Sequence, residues 1–97
     1  MRVIARSTLH DFVRRYPDTK SRLDAWYAET KHENWKSPDD LKRRFPGCRI
    51  VGKDRAIFNI MRNNYRLVVK INYTTGIVYI RFIGTHKEYD KINVEEI

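Results

Sequence analysis

Cysteine is almost absent from this sequence. Cys48 stands alone among 97 residues, so no internal disulfide can form. That usage fits a reducing compartment, and the expected role of Cys48 is a small strand residue rather than a nucleophile. Long apolar runs are missing too, and none approaches the ~20 residues that span a bilayer. The opening MRVIARSTLHDF has neither the apolar stretch nor the small-residue cleavage site of a secretory leader. A soluble, cytoplasmic protein with no membrane association is expected. His10, His32 and His86 have no His or Cys partner at ligand spacing, so no metal is expected. There is no GxxxxGK(S/T) loop, no GxGxxG and no serine elbow, so no nucleotide cofactor or serine hydrolase chemistry is indicated. Repeats, linkers and low-complexity tracts are also lacking. Residues 1–97 are expected to form one domain with a modest core.

Acidic residues are scarce in one part of the chain. Between Leu41 and Lys70 there are nine basic residues and only Asp54 against them, which accounts for the whole net charge of +8. The remainder of the chain balances. A positive field gathered in one segment suits a polyanion such as nucleic acid, the ribosome or an acidic protein. The shortage of paired carboxylates there argues against a two-metal nuclease.

The hydrophobic pattern reads as helices first and strands second. Residues 2–5 suggest a short strand. Ser7 or Thr8 is the expected N-cap of a helix whose Leu9, Phe12, Val13 and Tyr16 share one face, and Pro17 stops it. Asp18 or Thr19 should cap a second helix with Leu23, Trp26, Tyr27 and Thr30 inward. Ser37-Pro38-Asp39-Asp40 combines a capping serine, a proline at the first helical position and carboxylates at the positive helix end. A short helix to Phe45 follows. Strands are predicted at 49–52, 56–61, 65–73 and 77–83. Arg62-Asn63-Asn64 forms one turn, on the tolerance of Asn for positive φ, and Thr74-Thr75-Gly76 forms another.

Alternation then predicts the faces. Leu67, Val69 and Ile71, with Val78, Ile80 and Phe82, should lie under the helices. Arg66, Lys70, Tyr79 and Arg81 should share the opposite, open face. The predicted fold class is α+β, with N-terminal helices packed on one face of a small, mainly antiparallel sheet. A basic open face bearing aromatics is a platform for single-stranded RNA. RNA carries its own nucleophile, the 2′-hydroxyl. An enzyme must deprotonate it, neutralise the charge on the phosphate and protonate the leaving oxygen. Arginine suits the second task and histidine the proton transfers. Arg66 and Lys70 on the open face, with His86, Lys87 and Tyr89 after the last strand, are the candidates. Equally, His86 would serve as a strand-end residue and Tyr89 as a packing residue.

Three segments together resemble the HigB toxins of the RelE-like superfamily: AWYAETKHENWKSPDDLKRRF, AIFNI followed by NNYRLVVKINY, and IVYIRFIGTHKEYDKI. The resemblance runs over nearly the whole chain. It implies a ribosome-dependent, metal-free mRNA endoribonuclease without cofactor. It also implies a helix-turn-helix, HigA-like antitoxin as partner in a heterotetramer, with operator DNA contacted only through that antitoxin. The family's strand arginine falls on Arg66, its basic position after the glycine on His86, and its C-terminal tyrosine on Tyr89. Lys53, Arg55, Lys70, Arg81 and Lys87 are the expected RNA-binding cations. A histidine at 86, where RelE itself has another basic residue, leaves the general base and general acid unassigned. Two other readings remain open from sequence: a non-catalytic RNA- or ribosome-binding module, and a pure interaction protein facing an acidic partner.

Overall fold

The computed structural model describes all residues, 1–97. The chain runs β1 (Arg2–Ile4), α1 (Arg6–Arg15), a 3-10 turn (Pro17–Thr19), α2 (Lys20–His32), α3 (Pro38–Arg44), β2 (Arg49–Val51), β3 (Arg55–Ile60), β4 (Tyr65–Asn72), β5 (Ile77–Thr85) and α4 (His86–Tyr89). The five strands form one sheet in the order β1-β5-β4-β3-β2. β2 through β5 pair antiparallel, each with the next, and β1 adds in parallel against β5. The α+β architecture is the one expected, with a single parallel edge.

The helices form as their local signals dictate, with two exceptions. The Ser37 hydroxyl accepts from the Asp40 N–H, with Pro38 at the first helical position, as predicted. At α1, neither Ser7 nor Thr8 caps: the helix begins at Arg6, after an extended Ala5 without a side-chain cap. Continuation of the helix through Ser7 and Thr8 places them inside its first turn. Before α2, Thr19 closes the 3-10 turn, its hydroxyl donating to the Tyr16 carbonyl rather than accepting from the next helix. No helix is long and apolar enough to cross a membrane.

The core lies between the helices and one face of the sheet. Leu9, Phe12, Leu23, Trp26, Trp35 and Leu41 meet Ala56, Phe58 and Ile60 of β3, Leu67, Val69 and Ile71 of β4, and Val78 and Ile80 of β5. Edge-to-face contacts of Phe58 with Trp26 and Phe45 join the layers. Cys48 is buried in this core and its thiol is pushed up by burial, which keeps it protonated and unreactive.

One predicted inward residue is turned around. The β4–β5 register slips between Val68 and Val69, so Val68 faces Phe82 while Val69 faces Ile80. Arg81 is the extra residue of this β-bulge. Beyond it the alternation reverses: Ile83 packs against the core, and Phe82 lies on the opposite face with Val68. Both phases of Phe82-Ile83 present an apolar side chain inward, so the hydrophobic pattern is satisfied either way. The turn between β3 and β4 also differs from expectation. Its positive φ angles fall on Met61 (52°) and Arg62 (63°), not on Asn63 or Asn64.

The open face is only partly open. Ile57 and Val68 are 4% and 0% exposed although they point away from the helices. The C-terminal segment after α4 crosses in front of β2 and β3, where Tyr89, Ile92 and Val94 approach Arg49, Val51 and Ile57. Arg55 holds its end, donating from Nε (3.0 Å) and Nη2 (2.6 Å) to the Ile97 carbonyl.

Candidate active site

Register places Arg66 beside Gly84 on β5 and beside Asn59 on β3, near the start of β4. Its Nη1 donates to the Asn63 and Tyr65 carbonyls at 2.9 and 3.3 Å, which holds the guanidinium over the corner of the sheet. The guanidinium carbon also lies 5.7 Å from the centre of the Tyr89 ring, within cation–π range. Tyr89 in turn packs at 6.5 Å on Phe82. The bulge at Arg81 therefore turns Phe82 outward, where it packs on Tyr89.

α4 begins where β5 ends. The Thr85 hydroxyl accepts from the Glu88 N–H, and the Glu88 carboxylate accepts from the Thr85 N–H at 2.8 Å. This reciprocal capping box fixes a one-turn helix bearing both His86 and Tyr89. The Thr85 N–H holds the Glu88 carboxyl below its usual range, against a smaller opposing effect of burial. His86 is anchored through its backbone, whose N–H donates to the Asn64 carbonyl. Its ring is exposed, and Nδ1 lies 3.1 Å from Asp90 Oδ2 one turn on. Gly84 is constrained by this packing: a Cβ there would meet the Phe82 ring at 2.6 Å and the Glu88 carboxylate at 3.0 Å.

Arg66 at the start of β4 and His86 and Tyr89 on the single turn of α4 thus meet at one corner of the sheet. Of the predicted RNA-binding cations only Lys87, on α4, shares an element with His86 and Tyr89; the others lie elsewhere. Arg55 pairs across the strands with Lys70, four residues along β4 from Arg66 and so about 13 Å away. There Asp54 takes Arg55 at 2.9 Å and Lys70 at 3.9 Å. Arg55, with its guanidinium also spent on Ile97, is a structural tether in this arrangement. Lys53 is exposed in the β2–β3 turn, Lys87 is exposed on α4, and Arg81 is exposed at the bulge, stacked over Tyr79 at 5.4 Å. The basic segment is dispersed as well. Arg43 pairs with Asp40, and Arg44 with Glu29 and Glu33, all on the helical layer.

Four supporting roles escaped the reading of the sequence. Thr85 and Glu88 were visible as a T-x-x-E capping signature. Asp90 was visible at helical spacing from His86. The role of Phe82 had no local signal, because it depends on the bulge. No group of three His, Cys, Asp or Glu side chains is gathered anywhere in the chain.

Residues 19–92 match the family model described as HigB_toxin, the RelE-like toxic component of a toxin-antitoxin system. The mRNA interferase toxin HigB of Escherichia coli strain K12 is 32% identical over 93 residues, covering 93% of this chain and 88% of that protein. The mRNA interferase HigB of Shigella flexneri matches to the same extent. The mRNA interferase HigB of Escherichia coli O6:H1 is 23% identical over 94 residues, covering 95% and 91%.

Proposed function

The chain belongs to the HigB family of RelE-like toxins, and from that premise we propose that it is an mRNA endoribonuclease acting on translating ribosomes in the cytoplasm. The substrate's 2′-hydroxyl attacks the adjacent phosphorus, the bond to the 5′-oxygen breaks, and a 2′,3′-cyclic phosphate and a 5′-hydroxyl result. One side chain takes the 2′-hydroxyl proton and another supplies a proton to the leaving oxygen, so no metal or cofactor is required. Arg66 stabilises the charge that develops on the phosphate oxygens, where a fixed guanidinium acts without reorganising. His86 transfers a proton through Nε2, with Asp90 accepting at Nδ1 and holding the ring. Tyr89 stacks on a base or assists the second proton transfer. Lys70, Lys53, Arg81 and Lys87 guide the RNA backbone.

The observation that carries this reading is the Arg66–Tyr89 stack, 5.7 Å apart, at the corner where α4 also presents His86. The test is to map RNA ends after brief expression of the native chain and of Arg66→Ala with His86→Ala. Cleavage within translated messages that disappears in the double variant, with its fold retained, supports the reading. Undiminished growth inhibition by that variant removes it. Binding to ribosomes with no new RNA ends would instead establish a non-catalytic RNA module. Rapid cutting of naked RNA would overturn ribosome dependence. The partner is proposed to be an antitoxin with a helix-turn-helix domain, HigA-like, forming a heterotetramer through which operator DNA is contacted.

A further inference from the structure

Phe82 occupies a place that packing of the core does not explain. The bulge turns its ring away from the helices, and Ile83 takes the position against the core instead. A ring on the outward face of the sheet costs free energy unless its neighbours cover it. Val68 lies across from it on β4 and is fully buried. Gly84, the next residue of β5 on the same face, leaves the space of a side chain to the ring. A Cβ there would lie 2.6 Å from Phe82 Cζ and 3.2 Å from Cε2. Tyr89 meets the ring from α4, with ring centres 6.5 Å apart. Phe82 thus fills the gap between the sheet and α4. Gly84 is also the cross-strand neighbour of Arg66. With no side chain at 84, the guanidinium meets the Tyr89 ring instead, at 5.7 Å.

We propose that Phe82 is a positioning residue of the cleavage reaction: it sets the place of the Tyr89 ring and, through that ring, the direction of the Arg66 guanidinium. The inference rests on the RNA-cleaving reading above. Both hydrogen bonds of the guanidinium leave from one nitrogen, Nη1. They fix where that nitrogen lies and leave the group free to pivot about it. An aromatic ring held against the guanidinium removes the pivot. An arginine already aimed stabilises charge on the phosphate without reorganising. Tyr89 belongs to a helix of a single turn, and its ring needs backing from the sheet to stay in place. Phe82 supplies that backing, and Gly84 admits it. A leucine at 82 would still cover Val68 but would offer Tyr89 no flat surface. Covering and positioning can therefore be separated.

The test compares Phe82→Leu, Tyr89→Leu and the double variant in single-turnover cleavage of a ribosome-bound message, over a range of toxin concentrations. Phe82→Leu is expected to lower the saturated rate about ten-fold, since misplacement by about 1 Å slows a pre-organised site by up to about 10²-fold. The half-saturating concentration should not move, because the loss falls on the transition state. In the Tyr89→Leu background the same change should cost nothing more, as for two residues that act as a unit. Val68→Ala, which opens a cavity on the same face, should lower the melting temperature and leave the saturated rate native. A native rate for Phe82→Leu or for Tyr89→Leu overturns the proposal. So does a Phe82→Leu loss repeated in full in the Tyr89→Leu background, or an equal slowing by Val68→Ala. Each of these leaves cleavage by Arg66 and His86 standing, because the native chain still cuts. A native chain that cuts no message removes the catalytic reading and the positioning role together. A readout independent of cleavage is the ring-current shift of the Arg66 side-chain protons in the NMR spectrum. It should vanish in Tyr89→Leu and shrink in Phe82→Leu; a shift unaltered in Phe82→Leu overturns the proposal. Should the leucine variant unfold, Phe82→Met, unbranched and adaptable, takes its place in every arm.

Discussion

The two ends of β4 present arginine or lysine to the same face of one sheet, yet they use the charge differently. At the first end Arg66 has no carboxylate partner; it is held by backbone carbonyls and by the Tyr89 ring. Its charge is unspent and the residue remains partly exposed. At the other end Asp54 sits between Arg55 and Lys70, and Arg55 donates twice more to Ile97. That charge is largely consumed in fastening the C-terminal segment. Positive residues in a sequence are therefore not interchangeable evidence of a binding face. What separates them is whether the fold supplies an internal anion.

The largest expected contrast is in activity. Arg66→Ala should reduce cleavage by about 10²–10³-fold, as for loss of a principal charge-stabilising group, while Lys70→Ala should cost at most about ten-fold. Single-turnover rates on ribosome-bound messages measure both, and equal losses would abolish the distinction between the ends. Next is packing at the Arg66 end. Gly84→Val should destabilise by about 1–3 kcal/mol through overpacking against Phe82 and Glu88, read by denaturant unfolding. Serine at position 84 tolerated without loss would show that the corner is looser than its contacts imply.

Thr85→Ala removes the cap of α4 and should cost about 1 kcal/mol, accompanied by loss of order at His86 and Tyr89. The same box gives a pH signature. The Glu88 carboxyl is lower when folded than when unfolded, so its contribution is present above the usual carboxylate range and is lost as pH falls through the folded value. Glu88→Gln should flatten that acid limb of the stability curve; an unchanged limb would assign the dependence to other carboxylates. The smallest effect is expected at the spent end. Arg55→Ala should leave cleavage within a few-fold of native and act mainly by loosening residues 92–97, visible as faster amide exchange there. A cleavage loss as deep as that of Arg66→Ala would return Arg55 to the active surface.

Much of this was legible in the residues themselves. Ser37-Pro38-Asp39-Asp40 sets α3, because capping is a local interaction between side chain and nearby backbone. The runs from Tyr65 and Ile77 set the two central strands, because β-branched and aromatic side chains with short turns leave few other pairings. Arg66, His86 and Tyr89 were legible as candidates through family resemblance and residue chemistry. Phe82 was not, since Phe82 and Ile83 satisfy the core pattern equally and only cross-strand registry chooses between them. Nor was the fate of Arg55, whose partners are adjacent Asp54 and the distant Ile97.

The scarcity of cysteine and of acidic residues between 41 and 70 thus determined a good deal. It excluded disulfide staples, opposed a carboxylate-rich metal site and left a basic domain of helices on a sheet. Such properties depend on composition and on neighbours a few residues apart. Tertiary structure decided which cations are free, where the bulge turns Phe82, and that the C-terminal segment covers part of the predicted open face. These depend on contacts between residues tens of positions apart, whose geometry exists only once the sheet has closed and its register is set.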